Sequence, residues 1–175
     1  MNYFDVVKTR TSYRGVFKNT PVPRTDLKQI MQAGLLAPTG GNKQTTSLIA
    51  VDDTSILEKL RPIIPGGRTA PAMIFVLTQE TEPYKGKTFH VQDYSAAIEN
   101  ILLGAIALGY QSCWIEGDVI TNESIGLQTA KILNFPDDYI LVAALPIGCA
   151  DDELNYVPKK AFEERAWFNG FQKHE

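Results

Sequence analysis

Arg10, Ser12 and Arg14 stand at alternate positions in the stretch KTRTSYRGVF, residues 8 to 17. In an extended segment side chains alternate with period two, so all three point to one side. Two guanidinium forks and a hydroxyl on one side suit a phosphate dianion, whose oxygens accept charge-assisted, bidentate hydrogen bonds. The alternative is a pair of exposed arginines flanking a loop, where surface charge contributes little. Lys159 and Lys160, in PKKAFEER, add cations that could serve the same anion, although lysines on a polar tail are ordinarily just solvated.

Three further stretches carry residue types that can act on a ligand. APTGGNKQ, residues 37 to 44, has the glycines of a phosphate loop but not its order, because Asn42 separates Gly41 from Lys43 and Gln44 stands where Ser or Thr is required. What remains is either a plain helix-to-strand connection or a loop whose glycines let the backbone approach a flat ligand. In the second case Asn42 and Gln44 offer both donors and acceptors. CWIEGD places Glu116 at the end of a strand where nothing nearby marks a paired carboxylate, so an ordinary loop residue is the default over a general acid or base. The backbone of such a turn can also present an N–H to a ligand. Cys113 and Cys149 lie in apolar runs, the pattern of buried thiols in a reducing compartment. His90 and His174 have no partners at ligand spacing, so a zinc site finds no support.

The whole-chain balance narrows the partners. A net charge of −3 gives no electrostatic reason for non-specific binding to nucleic acid or to an anionic membrane, so an anion must be met locally. With 175 residues, 44% of them hydrophobic and 21% charged, the chain suits one soluble domain that needs neither disulfides nor metals. The start, MNYFDVVKTR, does not read as a signal peptide, and AAIENILLGAIALG is too short, and carries Glu99, for a membrane span. A cytoplasmic protein is expected.

The elements that must position these residues follow from periodicity. A short amphipathic helix is predicted over Tyr3 to Thr9, and a second from about Arg24 to Leu36, stopped by Pro38 and the two glycines after it. TSLIAVD (46 to 52) reads as a strand, TSILEKL as a helix, IIPGGRTAP as a loop and AMIFVLT as a buried strand, with a polar excursion from Gln79 to Gln92 beyond it. The helix expected from Asp93 to Leu108 is apolar on more than one face, which implies burial in the domain or against another subunit. YQSCWIEG offers a short strand and a turn, NESIGLQTAKILN a helix and DYILVAALPIG a long buried strand. The tail from Ala150 is charged and aromatic, and Trp167, Phe168 and Phe171 need a surface to pack on, for which a second chain is a candidate. There is no internal repeat and no linker, so residues 1 to 175 read as one α+β domain, with helices around a mostly antiparallel or mixed sheet.

In this order and spacing the set resembles the FMN-dependent nitroreductase family. The resemblance rests on Arg-x-Ser-x-Arg, then APTGGNKQ, then YSAAIENILLGAIALGYQSCWIEG, then LPIG before a basic tail, and it spans nearly the whole chain. It implies an intertwined homodimer with two FMN sites at the interface and residues 150 to 175 packed on the partner subunit. Arg10, Ser12 and Arg14 fall on the segment that holds the FMN phosphate in that family, with Lys159 adding a cation and Gly148 matching the glycine before the tail. Pro38, Thr39, Gly40, Asn42 and Gln44 match the loop that reaches the flavin from the second subunit. Ile115, Glu116 and Gly117 match the turn beside the ring, the Glu116 N–H facing flavin N5, and Arg68 is the candidate for the N1 and O2 edge.

The chain departs from the family where Thr45 and Thr46 follow Gln44 in place of Pro-Trp, in a short mid-chain excursion, and at Ala161, where a second basic residue is expected. The activity implied is NADH or NADPH reducing the flavin, which then reduces a nitroaromatic, quinone or activated alkene in ping-pong order. With the cofactor carrying the chemistry, no side-chain nucleophile or metal is required. An FMN storage or sensor protein, a specialised reductive dehalogenase or azoreductase, and a phosphate-binding module using the arginines alone are the other readings.

Overall fold

In the computed structural model, which describes residues 1–81, 85–121 and 123–171, the apolar runs at 72–78 and 140–148 form the two central strands of a four-stranded sheet. The elements in chain order are α1 (Tyr3–Thr9), α2 (Arg24–Leu35), β1 (Thr46–Val51), α3 (Thr54–Leu60), β2 (Ala72–Thr78), α4 (His90–Ala107), β3 (Gln111–Ser112), α5 (Gly117–Thr121), α6 (Glu123–Leu133) and β4 (Ile140–Gly148). Short 3₁₀ turns occupy Gly40–Asn42 and Phe162–Glu164. The strand order is β1-β2-β4-β3, and every pairing is antiparallel.

β2 reads as an unbroken apolar run because helices cover both of its faces. Ala72, Ile74 and Val76 face a core shared with α2 and α4, while Met73, Phe75 and Leu77 face one built with α3, α5 and α6. The alternation breaks in β4 where the register with β2 shifts between Val76 and Leu77. Val142 and Ala143 consequently both join the α2/α4 core, as one extra residue in a bulged strand requires.

On α4 the buried positions Asp93, Tyr94, Ala97, Ile98, Ile101, Leu102, Ala105 and Ile106 recur at helical spacing. A methyl group at Gly34 of α2 would lie 2.6 Å from Ile101 Cγ1, so the two helices meet closely there.

Against the periodicity the differences are small and local. α4 starts three residues earlier than expected, taking in His90, Val91 and Gln92 from the polar excursion. α2 ends one residue earlier, at Leu35. The turn after CWIE opens the five-residue helix α5, which its short, mixed sequence did not announce. Residues 82–84, Asn122 and His174 lie outside the described residues. Both cysteines are free, Cys113 buried and Cys149 half-buried. Among the described residues no helix is long and apolar enough to cross a membrane.

Candidate functional site

Residues 10–14 lie extended beside β3, with a parallel bridge between Ser12 and Ser112 and the Tyr13 N–H donating to the Ser112 carbonyl at 3.0 Å. Period two then divides the segment: Thr11 and Tyr13 turn inward and are buried, whereas Ser12 and Arg14 are exposed and Arg10 is half-buried. The inward residues fasten the segment to the start of the tail. Thr11 Oγ1 donates to the Asn155 carbonyl at 2.7 Å, and the Tyr13 hydroxyl sits against the Asp152 carboxylate and the Val16 carbonyl. Lys18 N–H to Cys149 O and Asp151 N–H to Val16 O, each 2.9 Å, close the seam. Burial first, and the bond to Asp152 second, push the Tyr13 phenol above its ordinary value.

The outward residues line a groove of about 800 Å³ that contains Arg10, Ser12, Arg14 and Lys159 together with Lys8, and is bounded by Asp152 and Glu153. Arg10 Nε lies 3.9 Å from Glu99 Oε1 on α4, and Arg14 Nη1 is 3.4 Å from the Ser12 carbonyl. Four of the residues picked from the sequence for a phosphate thus share one wall system, although Lys159 is about 150 residues away in the chain. The tertiary fold adds Lys8 and the fastening pair Thr11 and Tyr13. Their signal was available as the inward half of the same alternation.

Arg14 also lines a second, smaller cleft of about 290 Å³ with Pro65, Gly66, Cys113, Trp114, Ile115, Glu116 and Gly117. Ile115 is bridged to Ala144 of β4 by reciprocal bonds of 3.2 and 2.9 Å, so the turn is tied to the central sheet. The Glu116 carbonyl accepts from Ile120 N–H at 2.9 Å, opening α5. Glu116 is the residue immediately before that helix. The Glu116 carboxylate is held by the Tyr94 hydroxyl at 3.2 Å. Burial, and then the neighbouring Glu116 charge, push Tyr94 up to about 12. Burial likewise raises the Cys113 thiol, with Arg14 and Arg10 opposing it, so the thiol in this cleft stays protonated at neutral pH. Tyr94 was hidden in the sequence among the apolar residues of α4.

The loop with Pro38, Thr39, Gly40, Asn42 and Gln44 lines neither cleft within one chain. It is tightly organised. Asn42 N–H and Lys43 N–H donate to the carbonyls of Thr39 and Gly40 at 3.0 and 3.2 Å, and Gln44 N–H donates to Thr39 Oγ1 at 3.1 Å. Gly41, Asn42 and Gln44 all have positive φ, at 60°, 55° and 51°. For Asn42 and Gln44 a backbone held there costs on the order of 1 kcal/mol each, and persists only when its surroundings fix it. Asn42 and Gln44 are exposed, so their amides are presented to whatever approaches the loop.

Arg68 is exposed, two residues beyond Gly66 of the smaller cleft. Gly148 is buried, and a methyl group there would meet Pro71 Cδ at 2.7 Å and Phe17 Cδ1 at 2.9 Å. Its lack of a side chain lets the end of β4 pass under Phe17. It lines neither cleft.

The arrangement, a groove lined by Lys8, Arg10, Arg14 and Lys159 that meets a sheet-anchored turn at Arg14, occurs in a chain whose residues 7–67 and 65–149 match the model of the nitroreductase family. The chain belongs to the nitroreductase family. A protein from Archaeoglobus fulgidus that bears the provisional name NADH dehydrogenase/NAD(P)H nitroreductase is 30% identical over 154 residues, covering 86% of this chain and 87% of that protein. Among solved structures, a BluB-like flavoprotein from Clostridium difficile 630 matches with TM-score 0.83 at 24% identity, covering 96% of this chain and 99% of that one. A nitroreductase with bound FMN from Bacteroides fragilis matches with TM-score 0.77 at 23% identity, covering 92% and 96%. These likenesses show the nitroreductase fold, α+β around an antiparallel sheet.

Proposed function

We propose that two copies of this chain form an FMN oxidoreductase that takes electrons from NADH or NADPH and passes them to a nitroaromatic, quinone or activated alkene. The observation that carries the proposal is the convergence of Arg10, Ser12, Arg14 and Lys159 on one groove that joins, at Arg14, the turn at Glu116. The donor set fits the cofactor. A phosphate dianion accepts from guanidinium forks, an ammonium and a hydroxyl, and the groove offers all three kinds. Bound FMN supplies the redox chemistry, accepting a hydride from NADH or NADPH and delivering two electrons to the acceptor in alternation.

The chain's own residues do the rest. Arg10, Ser12, Arg14 and Lys159 hold the phosphate. The bond from Tyr94 and the bridge to Ala144 hold the Glu116 turn, whose backbone N–H would donate to flavin N5. Arg68 would serve the N1 and O2 edge, where a cation stabilises developing negative charge. Pro38, Thr39, Gly40, Asn42 and Gln44 come from the second copy. Two features support the dimer: this loop lines neither cleft of its own chain, and Tyr156, Val157, Phe162, Phe168 and Phe171 in the tail are exposed in the single chain. Packing 150–175 on the partner would bury those residues, leaving 1–175 as one cofactor-binding unit.

The test is the visible absorbance spectrum of the purified protein before and after soaking with FMN and desalting, followed by NADH and NADPH oxidation. Retained flavin near one per chain, with turnover on a quinone, supports the proposal. A protein that stays colourless removes the FMN reading, and one that keeps flavin without oxidising either nucleotide leaves a flavin-binding protein.

A further inference from the structure

We propose that Asp93 is the positioning residue for the flavin-facing loop, an assignment that rests on the FMN reading above. Asp93 lies in the first turn of α4 and is buried, with 3% of its surface exposed, the one charged side chain among the buried residues described. Its two carboxylate oxygens are divided between the two ends of the 40–45 loop. Oδ1 accepts from the Gly40 N–H at 2.7 Å, and Oδ2 accepts from Thr45 Oγ1 at 2.9 Å. Thr45 is itself fastened to the sheet, its carbonyl accepting from Gln79 N–H at 3.2 Å and from Thr78 Oγ1 at 3.4 Å. Between these two pins lie Gly41, Asn42 and Gln44, all with positive φ.

A carboxylate is suited to this task because it accepts at both ends at once and cannot compete as a donor. The Gly40 end has no room to shift: a methyl group there would lie 2.6 Å from Phe89 Cβ, and Phe89 immediately precedes α4. Asp93 therefore ties the loop to the first turn of α4 and fixes where the Asn42 and Gln44 amides point. It makes no contact with the cofactor itself. Its effect is on the ring end of the site, whereas the Arg10 and Arg14 groove acts on the phosphate end.

That division supplies the test. FMN and riboflavin, which lacks the phosphate, are titrated by flavin fluorescence against the full-length wild type, Asp93→Ala, Asp93→Asn and Thr45→Val, with thermal unfolding to normalise for folded protein. The expected result is that Asp93→Ala weakens both flavins by the same factor, roughly tenfold for about 1.4 kcal/mol lost. Asp93→Asn, which can still accept from Gly40 and donate to Thr45 Oγ1, recovers most of the affinity. Thr45→Val keeps the shape and the Gly40 bond, so it falls between wild type and Asp93→Ala and covers the case in which Asp93→Ala does not fold. The assignment is overturned if the Asp93 and Thr45 variants bind both flavins like wild type per folded molecule, or if only FMN binding weakens. A wild type that binds neither flavin overturns the FMN reading and this assignment together.

Discussion

Replacing Arg10 and Arg14 together with Ala tests the phosphate site at its centre. A hydrogen bond to a charged group contributes roughly 1.5–3 kcal/mol, so two lost guanidinium contacts amount to about 3–6 kcal/mol. The lower end applies here, because Arg14 is exposed and Ser12, Lys8 and Lys159 remain in the groove. Arg10 must also loosen its 3.9 Å approach to Glu99, a pair whose side chains are 21% and 49% exposed and which contributes no more than about 1 kcal/mol. A net loss of about 3 kcal/mol raises the FMN dissociation constant roughly a hundredfold. The apo fold should hardly notice. Neither arginine sits in an apolar core, and a loss under about 1 kcal/mol moves Tm by no more than about 4 °C in a chain of this size. The assay is paired fluorescence titration with FMN and riboflavin, with melting of the apo protein alongside. FMN should weaken and riboflavin should not. Full retention of FMN, or equal loss of riboflavin, refutes the placement of the phosphate.

Two further outcomes follow from the packing. Gly34→Ala puts a methyl group 2.6 Å from Ile101 Cγ1 and 3.3 Å from the Ala97 carbonyl, so overpacking of about 1–3 kcal/mol outweighs the helical gain of about 1 kcal/mol for Ala over Gly. The urea midpoint should fall, and a rise would mean that α2 and α4 separate easily. Tyr94 titrates at about 12 against an ordinary 10.0, with burial the main cause, so its contribution is intact below pH 10 and is lost as pH rises toward 12. Tyr94→Phe should therefore lose less stability than wild type across that window in denaturant titrations, and identical alkaline slopes would sink the argument.

The sequence by itself determined most of the elements and which residues of the 10–14 segment face outward. Helical spacing marked α1, α2 and α3, continuous apolar runs marked β2 and β4, and alternation put Arg10, Ser12 and Arg14 on one side of an extended stretch. These are local properties of the backbone, fixed by its 3.6- and two-residue periods. Element ends followed less closely, because α4 recruited His90, Val91 and Gln92 from the polar excursion before it and α5 is too short to carry a period.

Only the tertiary structure decided which side chains meet. Lys159 reaches the N-terminal groove because Phe17 and Ala150 bridge, and Thr11 and Tyr13 pin the tail's first residues. Gly148, marked in the sequence by its place before the tail, lines neither cleft of the single chain, and its missing side chain leaves room for Pro71 and Phe17. Asp93 and Tyr94 look alike in the sequence, as polar interruptions at the start of an apolar helix. The fold sends one to the 40–45 loop and the other to Glu116 because consecutive helical residues point about 100° apart, and what lies in each direction is set by chain segments far away in sequence.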